Sequence, residues 1–180
     1  MLTEVRRNSP DATITSDASG LWGCGAYCGS QWFQLQWSQS TMQFHITIKE
    51  LIPVVLALAI WGRQWYGKTV QIRCDNAAVV AILNSGDSRD PDAMHLRRCL
   101  AFITAKFNIN LFASHVKGKD NGLADALSRN KAATFFSANP QASPHPSPIP
   151  AELLDLLILQ RPDWRSPNWT NLWSVTFGKV

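Results

Sequence analysis

Three short segments near the start of the chain have the two-residue hydrophobic period of β-strands. Thr13–Ser19 and Trp22–Cys28 are separated by a tight turn at Gly20, and Gly29-Ser30 is a two-residue hairpin turn. In the next segment, Gln31–Trp37, polar and apolar side chains alternate. This spacing predicts an antiparallel three-strand meander.

The following hundred residues change to a helical period interrupted by two strand-like runs. Apolar residues recur on one face of Thr47–Trp65, where Pro53 predicts either a kink or a later helix start. The other predicted elements are a strand at Lys68–Cys74, helices at Asn76–Leu83 and Asp90–Phe107, a strand at Ile109–Val116, and a helix at Asp120–Arg129. Strands that alternate with helices after a meander predict an α/β fold with a five-stranded mixed sheet flanked by helices.

The composition divides the chain into four regions. Residues 1–11 are polar and are predicted to be flexible, and residues 12–131 contain the alternating elements. Five of the ten prolines lie between Pro140 and Pro150, so residues 132–150 are predicted to be a proline-rich linker. Residues 151–180 are predicted to form a small tail with a helix at Ala151–Gln160, followed by Trp164, Trp169 and Trp173.

Charge and cysteine content narrow the class of protein. The net charge of +4 is compatible with a polyanionic partner, and 46% hydrophobic residues exclude a disordered tail. The four cysteines form no Cys-x-x-Cys pair, which argues against zinc and fits buried thiols of a reduced intracellular protein, cytoplasmic or nuclear. No signal peptide is visible, and the longest apolar run, Leu51–Gly62, is too short to span a membrane.

Four carboxylates occupy positions where a charge is hard to explain by surface exposure. Asp17 lies inside the first strand, and Asp75 ends the fourth, where the carboxyl ends of strands carry ligand sites in open α/β sheets. Glu50 lies near the start of the first long helix and Asp125 on the last one. If the first and fourth strands are neighbours, Asp17 and Asp75 face each other.

Each carboxylate also has a structural alternative. Glu50 completes a capping box with Thr47, Asp75 precedes a helix that Asn76 would cap, and Asp125 would be a solvated helix residue.

Clustered carboxylates repel unless a cation compensates them, and hard oxygen ligands favour Mg²⁺ or Mn²⁺ over Zn²⁺. Two such ions would suit phosphodiester chemistry.

Several motifs agree in order with one family. They are Thr15-Ser16-Asp17-Ala18-Ser19 with Trp22-Gly23-Cys24-Gly25-Ala26, His45 to Leu51, Cys74-Asp75-Asn76, His115-Val116-Lys117-Gly118, and Asn121 to Arg129. Over residues 12–131 the chain resembles the ribonuclease H domains of retroelement reverse transcriptases, of the gypsy-like or DIRS-like kind. The resemblance implies the ribonuclease H-like fold and an adjacent reverse transcriptase domain. A recombinase or integrase domain would follow downstream.

The resemblance also implies an activity and a set of site residues. The activity is endonucleolytic hydrolysis of the RNA strand of an RNA–DNA hybrid. Asp17, Glu50, Asp75 and Asp125 would be the catalytic residues and the ligands of two Mg²⁺ ions, for which Mn²⁺ would be a substitute. Glu50 would also sense the ribose 2′-hydroxyl, which distinguishes RNA from DNA. The residues expected to contact substrate are Ser19, Gly20, Asn76, Lys117, Lys119 and Asn121.

Two departures from the family leave alternatives open. The loop Gly118–Asn121 lacks the histidine that many ribonucleases H carry there, so His115 is either an auxiliary group or a structural one. Lys117 and Lys119 either meet phosphates or form a solvated basic turn. The basic protrusion of some cellular ribonucleases H is also missing. The alternative to an active enzyme is a weak or inactive ribonuclease H-like domain that tethers or binds nucleic acid.

Overall fold

The computed structural model describes residues 9–154 of the chain. Its five strands form one mixed sheet of order β3-β2-β1-β4-β5. They are β1 (Ala12–Ala18), β2 (Gly23–Cys28), β3 (Gln31–Gln36), β4 (Thr69–Cys74) and β5 (Asn110–His115). The first three form the predicted antiparallel meander, whereas β1–β4 and β4–β5 are parallel pairs. The prediction that the first and fourth strands are neighbours is therefore confirmed.

Within residues 9–154, five helices correspond to predicted ones, with shifts at their ends, whereas two short helices at Gln39–Met42 and Ala132–Ala138 are not predicted. The helices are α1 (Gln39–Met42), α2 (Ile46–Trp61), α3 (Ala77–Ser85), α4 (Pro91–Lys106), α5 (Gly122–Ser128), α6 (Ala132–Ala138) and α7 (Ala151–Leu154). Short 3₁₀ turns at Gly62–Trp65 and Gly118–Asp120 follow α2 and precede α5. None of the helices within residues 9–154 is long and apolar enough to cross a membrane.

The predicted start of α2 needs correction. The N-cap is His45, whose Nδ1 accepts a hydrogen bond from the backbone N–H of Thr47 at 3.2 Å. Thr47 is therefore inside the helix and forms no capping box with Glu50. Pro53 lies within the continuous helix, which begins at Ile46, so the predicted later start is wrong. Burial of nearly the whole length of α2 outweighs one missing backbone hydrogen bond.

Alternating side chains divide the core between the two faces of the sheet. Phe33 on one face joins the main cluster with α2 and α4, whereas Trp32 on the other packs with Leu127 of α5 and Phe135 of α6. Gly25 permits this second contact, because a Cβ at that position would collide with the side chain of Leu127. Helices thus cover one face of the sheet and, over β2 and β3, the other face as well.

Residues 132–150 differ from the predicted linker. Phe135 is fully buried, and the backbone N–H groups of Ser143 and Ser147 donate to the carbonyl oxygens of Ser30 and Trp32 at 2.8 and 2.7 Å. The proline-rich segment therefore lies along the edge strand β3, because its few free N–H groups and Phe135 find partners there. In the predicted tail, α7 buries Leu153 against the main core; residues 155–180, with the three tryptophans, lie outside the described part.

Candidate metal centre

Asp17 is held in place from two sides near the end of β1. Its carboxylate accepts hydrogen bonds from Ser128 Oγ at 2.5 Å and from Asn121 Nδ2 at 3.2 Å, and its side chain is buried. Burial, and next to it the charges of Asp75 and Asp125, raise the pKa of Asp17 to about 6 despite the Ser128 hydrogen bond, which lowers it. The side chain is thus fixed in orientation but incompletely compensated in charge.

Glu50 is buried, and one of its carboxylate oxygens has no partner. It is 4% exposed, and its Oε2 atom is buried without a hydrogen-bond partner. Burial first, then the charges of Asp17 and Asp75, raise the pKa of Glu50 to about 9, although a backbone hydrogen bond from Ala18 lowers it. A buried, unpartnered carboxylate oxygen is costly, and without the capping box no local role explains it.

Asp75 completes a cluster of three carboxylates. It follows β4, and the parallel β1–β4 pairing brings the ends of both strands to the same edge of the sheet. One carboxylate oxygen each from Asp17, Glu50 and Asp75 lies within 4.8 Å of the others. The imidazole Nε2 of His115, on the neighbouring strand, lies 3.1 Å from the backbone oxygen of Asp75. His115 therefore contacts the backbone beside the cluster rather than a carboxylate.

Asp125 lies beside this cluster but is not one of the three. On α5 its Oδ1 accepts from Arg129 Nε at 2.6 Å, and both side chains are substantially exposed. Its charge nevertheless reaches Asp17, whose pKa it raises. The role of Asp125 as a metal ligand stays a prediction, since the ion pair with Arg129 holds its carboxylate in the present arrangement.

The residues at this edge fit a hard divalent cation. Three carboxylates gathered within 4.8 Å include one oxygen without a partner, and burial together with the neighbouring carboxylates raises the pKa of Asp17 and Glu50. Oxygen donors of this kind are the ligands that Mg²⁺ and Mn²⁺ prefer. The thiols nearby are unsuited to compete, because burial raises the pKa of Cys74 to about 12 and holds the pKa of Cys24 well above its usual value.

Half of the residues predicted to contact substrate have other tasks in the structure. Ser19 Oγ is buried, donates to the Ser128 oxygen at 2.8 Å and accepts from the N–H groups of Trp22 and Gly23 at 3.0 Å. Asn121 is 1% exposed and turns its amide towards Asp17. Asn76 caps α3, as the alternative interpretation of this segment predicts. These three side chains form hydrogen bonds within the protein, which the motif alone does not predict.

The other three predicted contact residues remain accessible. Gly20, Lys117 and Lys119 are exposed, and the turn that carries the lysines leads directly into α5. The role of Ser128, whose hydroxyl positions Asp17, is not predicted from the sequence. A serine three residues after Asp125, within an otherwise apolar helix face, was the available signal, because residues three apart share a face.

Comparison with known proteins identifies the fold. No protein-family model and no curated protein sequence matches the chain. The solved ribonuclease H1 of the halophilic archaeon Halobacterium salinarum is 18% identical; the match covers 68% of this chain and 96% of that one, with a TM-score of 0.51. LC11 ribonuclease H1, solved in complex with an RNA/DNA hybrid, is also 18% identical, with coverage of 68% and 99% and a TM-score of 0.56.

A third solved structure gives the same result. The N-terminal ribonuclease H domain of a Mycobacterium tuberculosis protein, solved as a fusion with maltose-binding protein, is 18% identical. The match covers 72% of this chain and 99% of that domain, with a TM-score of 0.50. The five-stranded mixed sheet with its flanking helices is therefore a ribonuclease H-like fold, as the sequence motifs predict.

Proposed function

We propose that this chain is a ribonuclease H, which hydrolyses the RNA strand of an RNA–DNA hybrid. The observation that carries the proposal is the buried cluster of Asp17, Glu50 and Asp75 at the strand ends of a ribonuclease H-like sheet. LC11 ribonuclease H1, which shares the fold, was solved with an RNA/DNA hybrid. Neither a helix cap nor surface exposure explains the buried Glu50.

The four carboxylates would together hold two divalent ions. Asp17, Glu50 and Asp75 would hold the ions at the strand ends, and Asp125 would complete the ligand set. When bound, the ions supply a nucleophilic water at neutral pH and stabilise the charge that develops on the phosphodiester. The products are a 3′-hydroxyl and a 5′-phosphate.

Protein groups around the cluster orient the carboxylates and the substrate. Ser128 and Asn121 hold the Asp17 carboxylate from α5 and its preceding loop, so it needs no reorientation during the reaction. Glu50 faces the ribose 2′-hydroxyl, which selects RNA over DNA. The exposed Lys117 and Lys119 meet backbone phosphates beside the site.

The proposed setting is the replication of a retroelement inside a cell. The motifs at Asp17, Glu50, Asp75 and Asp125 support a domain that works beside a reverse transcriptase, with a recombinase or integrase further along the polyprotein. The missing basic protrusion supports this setting, because a neighbouring polymerase domain would supply affinity for the hybrid.

A cleavage assay tests the proposal. A 5′-labelled RNA annealed to DNA is incubated with the protein and Mg²⁺ or Mn²⁺, and the fragments are resolved on a denaturing gel. We expect cleavage of the RNA strand by the wild type and none by Asp75→Asn. Asp87→Asn, an identical change at an exposed loop position, should cleave like the wild type.

Two controls decide between an enzyme and a binding domain. The same RNA annealed to RNA should resist cleavage, and chelation of the metal should stop the reaction. The proposal would be refuted if the folded wild-type protein cleaves the hybrid at no metal concentration, even with a polymerase domain supplied, and binds it no differently from the Asp17→Asn variant. That result would instead indicate a nucleic-acid-binding domain.

A further inference from the structure

Lys49 is a buried lysine without a carboxylate partner among residues 9–154. Its side chain is 4% exposed, and Nζ donates hydrogen bonds to the backbone oxygens of Gly20 and Met42, both at 2.8 Å. The Lys49 ammonium is therefore compensated by two carbonyl dipoles from two different loops.

A buried ammonium of this kind contributes little to the stability of a fold. A buried charge loses its hydration, and an apolar side chain of similar length is often as good or better for stability. Lys49 lies in the first turn of α2, immediately before Glu50, so an apolar residue there would simply extend the buried face of the helix. The ammonium must gain something other than packing.

What Lys49 joins are two loops beside the carboxylate cluster. Gly20 lies in the turn between β1 and β2, just after Asp17, and Met42 ends α1, just before α2. Both loops present apolar side chains to solvent: Leu21 is 84% exposed and Met42 42%. A Cβ at Gly20 would meet nothing within 4 Å, so Gly20 has no packing neighbour on that side, although Ser19 Oγ closes the turn through the N–H groups of Trp22 and Gly23. The Lys49 ammonium couples this turn and the end of α1 to α2.

We propose that Lys49 is a positioning residue that fixes the Gly20–Leu21 turn and the end of α1 as one rigid rim on which the RNA–DNA hybrid lies. This inference rests on the proposed function. Lys49 directly precedes Glu50, and Gly20 lies three residues after Asp17. A duplex with its scissile phosphate at the carboxylates must therefore pass over the rim. Ordering the rim before binding removes a loop-ordering cost from each binding event.

The test compares Lys49→Met with Lys68→Met. The first change removes the ammonium and keeps the length; the second removes an identical charge from an exposed position at the opposite end of β4. For Lys49→Met we expect unchanged or higher thermal stability and a KM for the hybrid raised about 10-fold, with kcat within about two-fold of wild type. Hydrogen exchange should accelerate in residues 19–22 and 38–44 and nowhere else. Lys68→Met should match the wild type in each measurement.

Each outcome decides the inference. Loss of kcat at unchanged KM, or exchange in both loops as slow as in the wild type, would overturn it. If Lys49→Met does not fold, Lys49→Arg is measured instead. Arginine keeps the charge and enough N–H donors for both carbonyl oxygens, so the variant should retain ordered loops and the wild-type KM. A folded Lys49→Arg protein with ordered loops but weakened hybrid binding overturns the proposal.

The exchange experiment separates this inference from the proposed function. If the wild type cleaves no hybrid, the proposed function fails, while exchange and fluorescence anisotropy with a labelled hybrid still report the state of the rim. Faster exchange with unchanged hybrid affinity would leave Lys49 a purely structural residue and refute its positioning role.

Discussion

Replacing Glu50 by glutamine should stabilise the metal-free protein at alkaline pH. In the unfolded chain Glu50 ionises near its ordinary pKa of 4.5, whereas in the fold its pKa is about 9. Between these values the folded state binds a proton that the unfolded state does not, so stability is fully present below pH 4.5 and is lost as pH rises. Each pH unit in that window costs about 1.4 kcal/mol.

At pH 8 most of this stability has been lost, and pH 8 is still a practical condition for unfolding measurements. The distance from pH 4.5 to pH 8 corresponds to about 5 kcal/mol as an upper bound, since Glu50 is nearly fully buried. Glutamine takes up no proton, so the variant escapes this loss, apart from the smaller cost of burying an amide that lacks a full set of partners. At about 2–4 °C per kcal/mol for a chain of this size, a rise in Tm of about 6 °C or more is expected.

Thermal unfolding in EDTA, followed by tryptophan fluorescence at pH 5 and pH 8, measures the effect. Glu50→Gln should unfold close to the wild type at pH 5 and well above it at pH 8. Glu152→Gln, the same change at an exposed residue, should change the free energy of unfolding by no more than about 0.5 kcal/mol at either pH. A Glu50→Gln protein that is no more stable than the wild type at pH 8 would show that the carboxylate is compensated without metal, and the argument for a cation site at Glu50 would fall.

Three further predictions test neighbouring parts of the structure. Mg²⁺ should raise the wild-type Tm more at pH 8 than at pH 5, because protons compete for the ligands, and should leave Glu50→Gln almost unaffected by differential scanning fluorimetry. Arg129→Gln should bind Mn²⁺ about 2–5-fold more tightly by calorimetry, since it frees Asp125, while Lys131→Gln should not; equal affinities would refute competition by Arg129. Phe135→Ala should lower the free energy of unfolding by about 3–5 kcal/mol in urea, and a change below about 1 kcal/mol would show that α6 is not part of the folded core.

Local patterns were sufficient to predict most of the secondary structure. The buried face of α4, with Leu96, Cys99, Leu100, Ile103 and Phe107, matches the predicted stripe. Asn76 caps α3, and Gly86 ends it with a positive φ of 76°. These features depend on residues within one or two turns of each other, so they are legible in sequence.

Errors arose where a local motif competed with a distant contact. The Thr47-x-x-Glu50 pattern satisfies a capping box, yet His45 caps α2, and Glu50 turns into the carboxylate cluster. The proline-rich composition of residues 132–150 is typical of a linker, yet Phe135 packs with Trp32 at a ring-centroid separation of 5.5 Å. Composition does not show that β3 offers an open edge and an aromatic surface for this segment.

The sequence alone determined most of the strands and helices. It also showed that Asp17 and Asp75 lie within or at the end of strands, where a carboxylate needs an explanation. It also indicated the ribonuclease H-like fold through motifs in a fixed order. Only the tertiary structure decided that three carboxylates meet within 4.8 Å, that Ser128 and Asn121 hold Asp17, and that Lys49 joins two loops. The reason is physical: period and capping act within a few residues, whereas burial and charge compensation depend on side chains that up to 111 positions separate.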